Sequence, residues 1–164
     1  MDKNLSQIKT DIYDKHSLTI TNFITEKESK EYDACRFQLN GRHIISRSAK
    51  ITTKKNGQFV TFWKRINNSP IQPFNCNDKF DYLIVNTRMN KKLGQFVFPK
   101  SVLIDKGIIS TEKREGKRAF RVYPKWDVAK SKQAQLSQQW QLNYFYEITN
   151  LTDLNRVNEL YIGR

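Results

Sequence analysis

The chain has few cysteines and few glycines, and each shortage excludes a class of protein. Two cysteines, Cys35 and Cys76, are too few for the disulfide framework of a small secreted domain. The six glycines form no glycine-rich loop that could wrap a nucleotide phosphate. No run of about 18 apolar residues occurs, and the first residues lack the apolar core of a signal peptide. We therefore expect a cytoplasmic protein with reduced thiols, no membrane span and no cofactor.

Acidic residues are absent between Asp33 and Asp78. The net charge of +13 is unevenly distributed, because residues 34–132 carry +16, residues 1–33 carry −2 and residues 133–164 carry −1. Aromatic side chains, among them Trp63, are interleaved with the cations. Such a segment is typical of a surface that holds a polyanion and stacks against its bases.

The acid-free segment also lacks the side chains that most often hold catalytic metal ions. Metal-dependent hydrolysis of phosphodiesters mostly needs carboxylates to hold the cation, and the acid-free segment has none. The two histidines, His16 and His43, are far apart in sequence, and their spacing from Cys35 and Cys76 does not resemble a zinc finger. The sequence therefore predicts no metal site.

Hydrophobic periodicity predicts helices at both ends of the chain. Apolar residues at helical spacing predict a helix over residues 3–15. Thr25 and Glu28 form a capping-box pattern, which predicts a second helix running toward Cys35. The longest helix is predicted over residues 126–148, and a short one over residues 151–161.

Alternating and apolar runs between these helices predict a sheet. Asn40-Gly41 is typical of a tight hairpin turn, and residues 80–87 are nearly all apolar, as in a strand buried on both faces. The predicted strands are residues 36–40, 43–51, 58–65, 80–87, 95–99 and, at an edge, 117–123. We expect a single domain over residues 1–164, with N-terminal helices at about 3–35, a sheet core at about 36–123 and C-terminal helices at about 126–161.

Four blocks of sequence resemble the MepB-like family of small bacterial proteins. They are CRFQLNGRHIISRSAKITTKKNGQFVTFWKR, FDYLIVNTR, KLGQFVFPKSVLIDKGIIS and GKRAFRVYPKWD, in this order, and the resemblance covers about residues 30–150. The family is named for a gene that accompanies a multidrug efflux pump and its repressor, which implies a link to a multidrug-efflux operon. Its fold is similar to that of the PD-(D/E)xK nucleases. The resemblance therefore implies an α+β (α/β) fold with a restriction-endonuclease-like mixed central sheet flanked by helices.

The catalytic pattern of that nuclease superfamily is incomplete in this chain. The pattern requires a Glu on the first helix, an Asp at a strand bend and Glu-x-Lys on the next strand. Glu31 fits the helix position, but Phe62 stands where the carboxylate before Lys64 is required. Side chains two residues apart share a face of a strand, so a phenyl ring replaces the metal-binding partner. An alternative alignment on Asp81 and Lys100 again has a phenylalanine at this point. The predicted remnant of the nuclease site is Glu31, Asp81, Lys64 and Lys100.

We therefore expect a nucleic-acid-binding protein that is not an enzyme, with a nuclease-like fold and a degenerate, inactive catalytic site. Phosphate contacts should supply most of the affinity, and RNA or single-stranded DNA should be preferred to duplex because unpaired bases can stack on Trp63. The predicted binding residues are Arg36, Arg42, Arg47, Lys50, Lys54, Lys55, Trp63, Lys64, Arg65, Lys91, Lys92, Lys100, Arg118 and Arg121.

Two other functions remain open from the sequence. One is an active metal-dependent nuclease with a migrated site, built from Glu31 and Asp81 with Lys64 or Lys100. The other is a regulatory protein whose basic face binds an acidic protein partner or an anionic membrane surface.

Overall fold

The computed structural model describes residues 1–162, and all elements below belong to this part of the chain. Its strands are β1 (Ile20–Thr25), β2 (Cys35–Leu39), β3 (Arg42–Ser48), β4 (Lys50–Ile51), β5 (Gln58–Thr61), β6 (Tyr82–Met89), β7 (Lys92–Pro99), β8 (Ala119–Val122) and β9 (Phe145–Glu147). Its α-helices are α1 (Lys3–Ile8), α2 (Lys100–Asp105), α3 (Lys132–Gln141) and α4 (Leu154–Ile162). A π-helical turn (Lys9–Tyr13) and a 3₁₀ turn (Asp14–His16) extend α1.

A mixed six-stranded sheet, in the order β1-β2-β3-β6-β7-β9, forms the centre of the fold. β3 and β6 are parallel, and the other neighbouring strands are antiparallel. The first six residues of β6 are all buried, as its apolar run predicts for a central strand. Asn40 and Gly41 join β2 to β3 with φ values of +49° and +83°, the left-handed conformations of a tight hairpin turn. The predicted α+β class, a mixed sheet flanked by helices, is confirmed.

A second, three-stranded sheet packs on one face of the central sheet in the order β4-β5-β8. Its inward side chains, Val60, Phe120 and Val122, join a core cluster with residues of β6 and β7. β8 lies at an edge, as predicted. The predicted strand 43–51 is divided at Ala49, because β3 belongs to the central sheet and β4 to the second sheet.

Helices α1 and α4 cover the opposite face of the central sheet. Leu5 and Ile8 of α1 and Val157 and Leu160 of α4 are buried in a core cluster with apolar residues of β2, β3 and β6. The carboxylate of Asp2 caps α1 by accepting a 2.9 Å hydrogen bond from the Leu5 amide. The predicted helices near residues 3–15 and 151–161 are therefore present.

The predicted helix from Thr25 toward Cys35 is wrong. Ile20–Thr25 is strand β1, paired antiparallel with β2, and the following segment has only a 3₁₀ turn at Lys30–Tyr32. Ser29 and Asp33 flank this turn with φ of +57° and +51°, which interrupts any continuous helix. The sheet therefore begins before residue 36, within the segment predicted as N-terminal helices.

The predicted long helix over residues 126–148 is also too long at both ends. Helix α3 begins after Ser131, whose Oγ accepts a hydrogen bond from the Ala134 amide at 3.1 Å. The chain then enters strand β9, because pairing with β7 extends the central sheet. Leu136 of α3, one of the apolar residues at helical spacing in this segment, is 56% exposed. The predicted domain ends at residue 164, and residues 163–164 lie outside the described part of the chain.

Candidate functional site

The β4–β5 turn, β8 and α3 enclose an open cavity of about 580 Å³, which we call the lysine groove. Ile108, Phe120, Tyr123 and Trp140 supply its apolar and aromatic surface. No carboxylate of the described residues lines it. The cations that line the lysine groove are Lys54, Lys55, Lys106, Lys117, Arg121 and Lys130.

Helix α3 is fixed beside β8 by a buried glutamine. Gln141 accepts a 2.8 Å hydrogen bond from the Tyr123 amide, and its Nε2 donates to the Arg121 carbonyl at 2.9 Å. The Lys106 ammonium lies 5.4 Å from the centroid of the Trp140 ring. Helix α3 and β8, two walls of the lysine groove, are therefore held together by hydrogen bonds.

The outer face of the second sheet continues this surface. Lys50, Phe59 and Arg121 lie opposite one another across β4, β5 and β8. The Arg121 guanidinium carbon lies 5.7 Å from the Phe59 ring centroid, and the Lys50 ammonium lies 5.2 Å from that of Tyr32. The Phe59 and Tyr32 rings are in contact, with centroids 6.3 Å apart. Aromatic rings flanked by cations thus cover this face.

A second cavity, of about 720 Å³, lies beyond the other end of β5, and we call it the arginine pocket. Its charged lining residues are Glu26, Lys27, Glu28, Arg36, Arg47, Lys64 and Arg65, and Trp63, Asn67, Asn68 and Phe74 are among the others.

Ion pairs fix three of the cations in the arginine pocket. Arg36 Nε lies 2.5 Å from a Glu26 carboxylate oxygen, and Arg65 Nε lies 3.0 Å from one of Glu28. The Arg65 guanidinium carbon also lies 5.7 Å from the Trp63 ring centroid. The third pair joins Lys64 Nζ and Asp78 Oδ1 at 2.7 Å.

Arg47 differs from these cations because it is buried, with 3% of its surface exposed. Its Nη1 donates to the Ser46 carbonyl at 3.0 Å, and its Nε has no acceptor among the described residues. Burial lowers the pKa of Arg47 to about 10, an effect that the nearby Glu26 carboxylate opposes. Arg47 is therefore still charged at neutral pH, although its donors are only partly satisfied.

The structure brings the predicted binding residues into two groups and leaves others apart. Arg36, Arg47, Trp63, Lys64 and Arg65 line the arginine pocket, whereas Lys54, Lys55 and Arg121 line the lysine groove, beside Lys50 on the outer face of the second sheet. Outside both cavities lie Arg42, Lys91, Lys92, Lys100 and Arg118.

Three cations of the lysine groove, Lys106, Lys117 and Lys130, are missing from the predicted set. They follow α2, precede β8 and precede α3, so they are far from Lys54 in sequence. The charge excess of residues 34–132 includes all three, but no local pattern indicates that they converge.

The predicted remnant of a nuclease site does not form a metal centre in the described residues. Lys64 and Lys100 both approach Asp78, since Lys100 Nζ donates to its carbonyl oxygen. Asp81 accepts a 2.7 Å hydrogen bond from the His43 amide, and Glu31 is exposed on the 3₁₀ turn rather than on a first helix. Residues 1–162 contain no group of three or more His, Cys, Asp or Glu side chains that could hold a metal ion.

The burial of Cys35 limits the chemistry of this thiol. Burial raises the pKa of the Cys35 thiol to about 12, so this cysteine is a protonated core residue at neutral pH. Within residues 1–162, no helix has the length and apolar character needed to cross a bilayer.

Together these features define an α+β protein with a six-stranded mixed sheet, a smaller second sheet and two cation-lined cavities. The model of the MepB-like family matches residues 26–147, and the chain belongs to this family. A solved structure described as "Crystal Structure of MepB" is 35% identical in sequence and has a TM-score of 0.78. The match covers 92% of this chain and 99% of that chain. No curated protein matches the chain.

Proposed function

We propose that this protein binds single-stranded nucleic acid, RNA or DNA, in the lysine groove. The observation that carries the proposal is the lining of the groove, in which six cations occur with no carboxylate among the described residues. Lys54, Lys55, Lys117 and Lys130 are exposed and make no ion pair with any described residue. Such a surface attracts phosphates without selecting among base sequences.

The bound nucleic acid would follow strand β5 across the protein surface. Residues 56–64 lead from the lysine groove to the arginine pocket, and a segment of this length spans at most about 25 Å when fully extended. Phe59 is half-buried on this path, between the cations Lys50 and Arg121. A path of this length suits the sites of about four or more nucleotides that single-strand-binding surfaces cover. Its aromatic rings favour unpaired bases over duplex.

The salt dependence of binding tests this proposal. Titrations with RNA, single-stranded DNA and duplex DNA should show tighter binding of the single strands, with a log–log salt slope of about −0.7 per phosphate contact. The probes should include a transcript of a multidrug-efflux operon, the link that the family resemblance implies. A flat salt response, or no binding of any oligonucleotide at micromolar protein, would contradict the proposal. An acidic protein partner, the other class of ligand for a basic face, would not be displaced by single-stranded oligonucleotide.

We further propose that the nuclease-like features of the family serve binding and not catalysis. The support is that residues 1–162 contain no group of three or more His, Cys, Asp or Glu side chains that could hold a metal ion, and that the phenyl ring of Phe62 is fully buried in the core. Prolonged incubation with Mg²⁺ or Mn²⁺ should leave plasmid DNA and RNA intact on a gel. Cleavage that survives purification and disappears in Glu31→Ala or Asp81→Ala would show that an active site exists.

A further inference from the structure

The arginine pocket contains a buried cation whose hydrogen bonds are incomplete. Arg47 lines the cavity, is 3% exposed, and leaves Nε without an acceptor among residues 1–162. Burying a charged group without full hydrogen bonding is unfavourable, and an anion in the cavity that accepts from this guanidinium would offset that cost. Arg47 thus carries a cost of burial that an exposed surface cation does not carry.

The charge balance of the pocket indicates which kind of anion fits. Five lining cations stand against the carboxylates of Glu26 and Glu28, an excess of three charges, or two when Asp78 beside Lys64 is included. A phosphate monoester carries about −1.5 to −2 charges at pH 7, and so matches this excess. A phosphodiester has a single charge per phosphate, and a chain of diesters would also meet the two glutamates. The lysine groove, without carboxylates, suits a continuous backbone, whereas the arginine pocket suits one compact dianion.

The other lining groups suit the base of a nucleotide. Trp63 is half-buried at the cavity, and Asn67 and Asn68 are exposed beside it. An indole ring offers a stacking face for a base, and amide side chains offer the donors and acceptors that base edges need. The volume of about 720 Å³ is that of a typical small-molecule site.

We infer that the arginine pocket binds a nucleotide through its phosphate monoester, with Arg47 and Arg36 on the phosphate and Trp63 on the base. The nucleotide is either the phosphorylated end of a strand or a free nucleoside monophosphate. Binding of a phosphorylated strand end rests on the proposed function, because the rest of the nucleic acid would continue along β5 into the lysine groove. Binding of a free nucleoside monophosphate does not depend on the proposed function.

Oligothymidines of about ten nucleotides, a length within the usual single-strand site sizes, test the inference. They carry a 5′-phosphate, a 3′-phosphate or no terminal phosphate, and adenosine 5′-monophosphate is titrated separately, with tryptophan fluorescence as the readout. One of the phosphorylated strands should bind about 10- to 100-fold more tightly than the unphosphorylated strand, the range for hydrogen bonds between charged groups. Arg47→Gln should abolish this preference, so that the phosphorylated and unphosphorylated strands bind with equal affinity. Trp63→Ala should weaken the binding of the phosphorylated strand more than that of the unphosphorylated one.

Arg121→Gln is the matched control, since it removes an arginine from the lysine groove. It should weaken both strands alike and leave their ratio unchanged. If Arg47→Gln does not fold, Arg36→Gln removes a more exposed cation from the same pocket and makes the same test.

The outcomes separate this inference from the proposed function. If one phosphorylated strand binds more tightly than the mononucleotide, the occupant is the phosphorylated end of a strand. If that strand and the mononucleotide bind with equal affinity, the occupant is the free nucleotide. Equal binding of all strands with no mononucleotide binding overturns the inference but leaves the proposed function in place. Arg47-dependent mononucleotide binding without any strand binding supports the inference and overturns the proposed function. If neither binds, both are overturned.

Discussion

Replacing Lys54, Lys55, Lys117 and Lys130 with glutamine should weaken the binding of a single-stranded oligonucleotide by about 600-fold at 0.1 M salt. If each lysine contacts one phosphate, the four changes make the slope of log affinity against log salt concentration shallower by about 2.8. Between about 1 M and 0.1 M salt, a tenfold range, this difference in slope amounts to an affinity difference of about 600-fold. Glutamine keeps most of the side-chain length, and all four side chains are exposed. The free energy of unfolding should therefore change little. Titrations at several salt concentrations measure both the affinity and the slope.

The control for this variant removes the same number of charges from elsewhere on the surface. Four of the exposed lysines that line neither cavity are Lys3, Lys15, Lys79 and Lys113, and their quadruple glutamine variant has the same net charge. We expect a small loss of affinity from this control, because distant exposed charges are screened at this salt concentration. Equal losses in the two variants would mean that overall charge, and not the lysine groove, determines binding.

Sequence patterns predicted the parts of the fold that depend on neighbouring residues. The tight turn at Asn40-Gly41 requires two residues in the left-handed conformation. The apolar run of strand β6 requires a position between two other strands. Both requirements are visible in a few adjacent side chains. The same holds for the edge strand β8 and the C-terminal helix α4.

The two wrong helices show where distant contacts override local preference. Thr25 and Glu28 form a helix-capping pattern, but Ile20–Thr25 pairs with β2 and so is held as a strand. The helical period of residues 126–148 likewise ends where β9 pairs with β7. At Gly94, a Cβ atom would lie 2.4 Å from the Phe145 ring, so this close packing requires glycine. Partners far away in sequence decided both segments, and a local pattern does not contain them.

The candidate site was only partly predictable for a related reason. The acid-free segment between Asp33 and Asp78 does contain the predicted cations, but acids flanking that segment return to them in the fold. Glu26 pairs with Arg36, Glu28 with Arg65, and Asp78 with Lys64. The arginine pocket is therefore partly neutralised, while the acid-free surface lies in the lysine groove. Local charge density predicts a polyanion-binding protein, but the contacts between distant segments determine which cations are unpaired.

The largest change in stability is expected at Gln95, which lies on β7 and is fully buried. Its Oε1 accepts hydrogen bonds from the hydroxyls of Tyr146, at 2.7 Å, and Tyr161. Its Nε2 donates to Asn86 Oδ1 at 2.8 Å. Tyr161 is in turn bonded to the hydroxyl of Tyr13, on the turn that extends α1. One side chain thus joins the central sheet to both terminal helical segments through a buried polar network.

Gln95→Leu should lower the free energy of unfolding by about 3–5 kcal/mol, because buried groups left without a partner cost about 1–3 kcal/mol each. Leucine fills a similar volume, so the loss reports the tyrosine hydroxyls that lose their shared acceptor and the Asn86 oxygen that loses its donor, not a cavity. The matched control is Gln58→Leu, since Gln58 is 1% exposed, but its Oε1 is already unpaired and its Nε2 makes one long hydrogen bond of 3.3 Å. That control should cost less than about 1 kcal/mol, the net value of a single hydrogen bond. Urea unfolding measures both variants, and similar losses in the two would mean that the tyrosine network contributes no more than any buried glutamine.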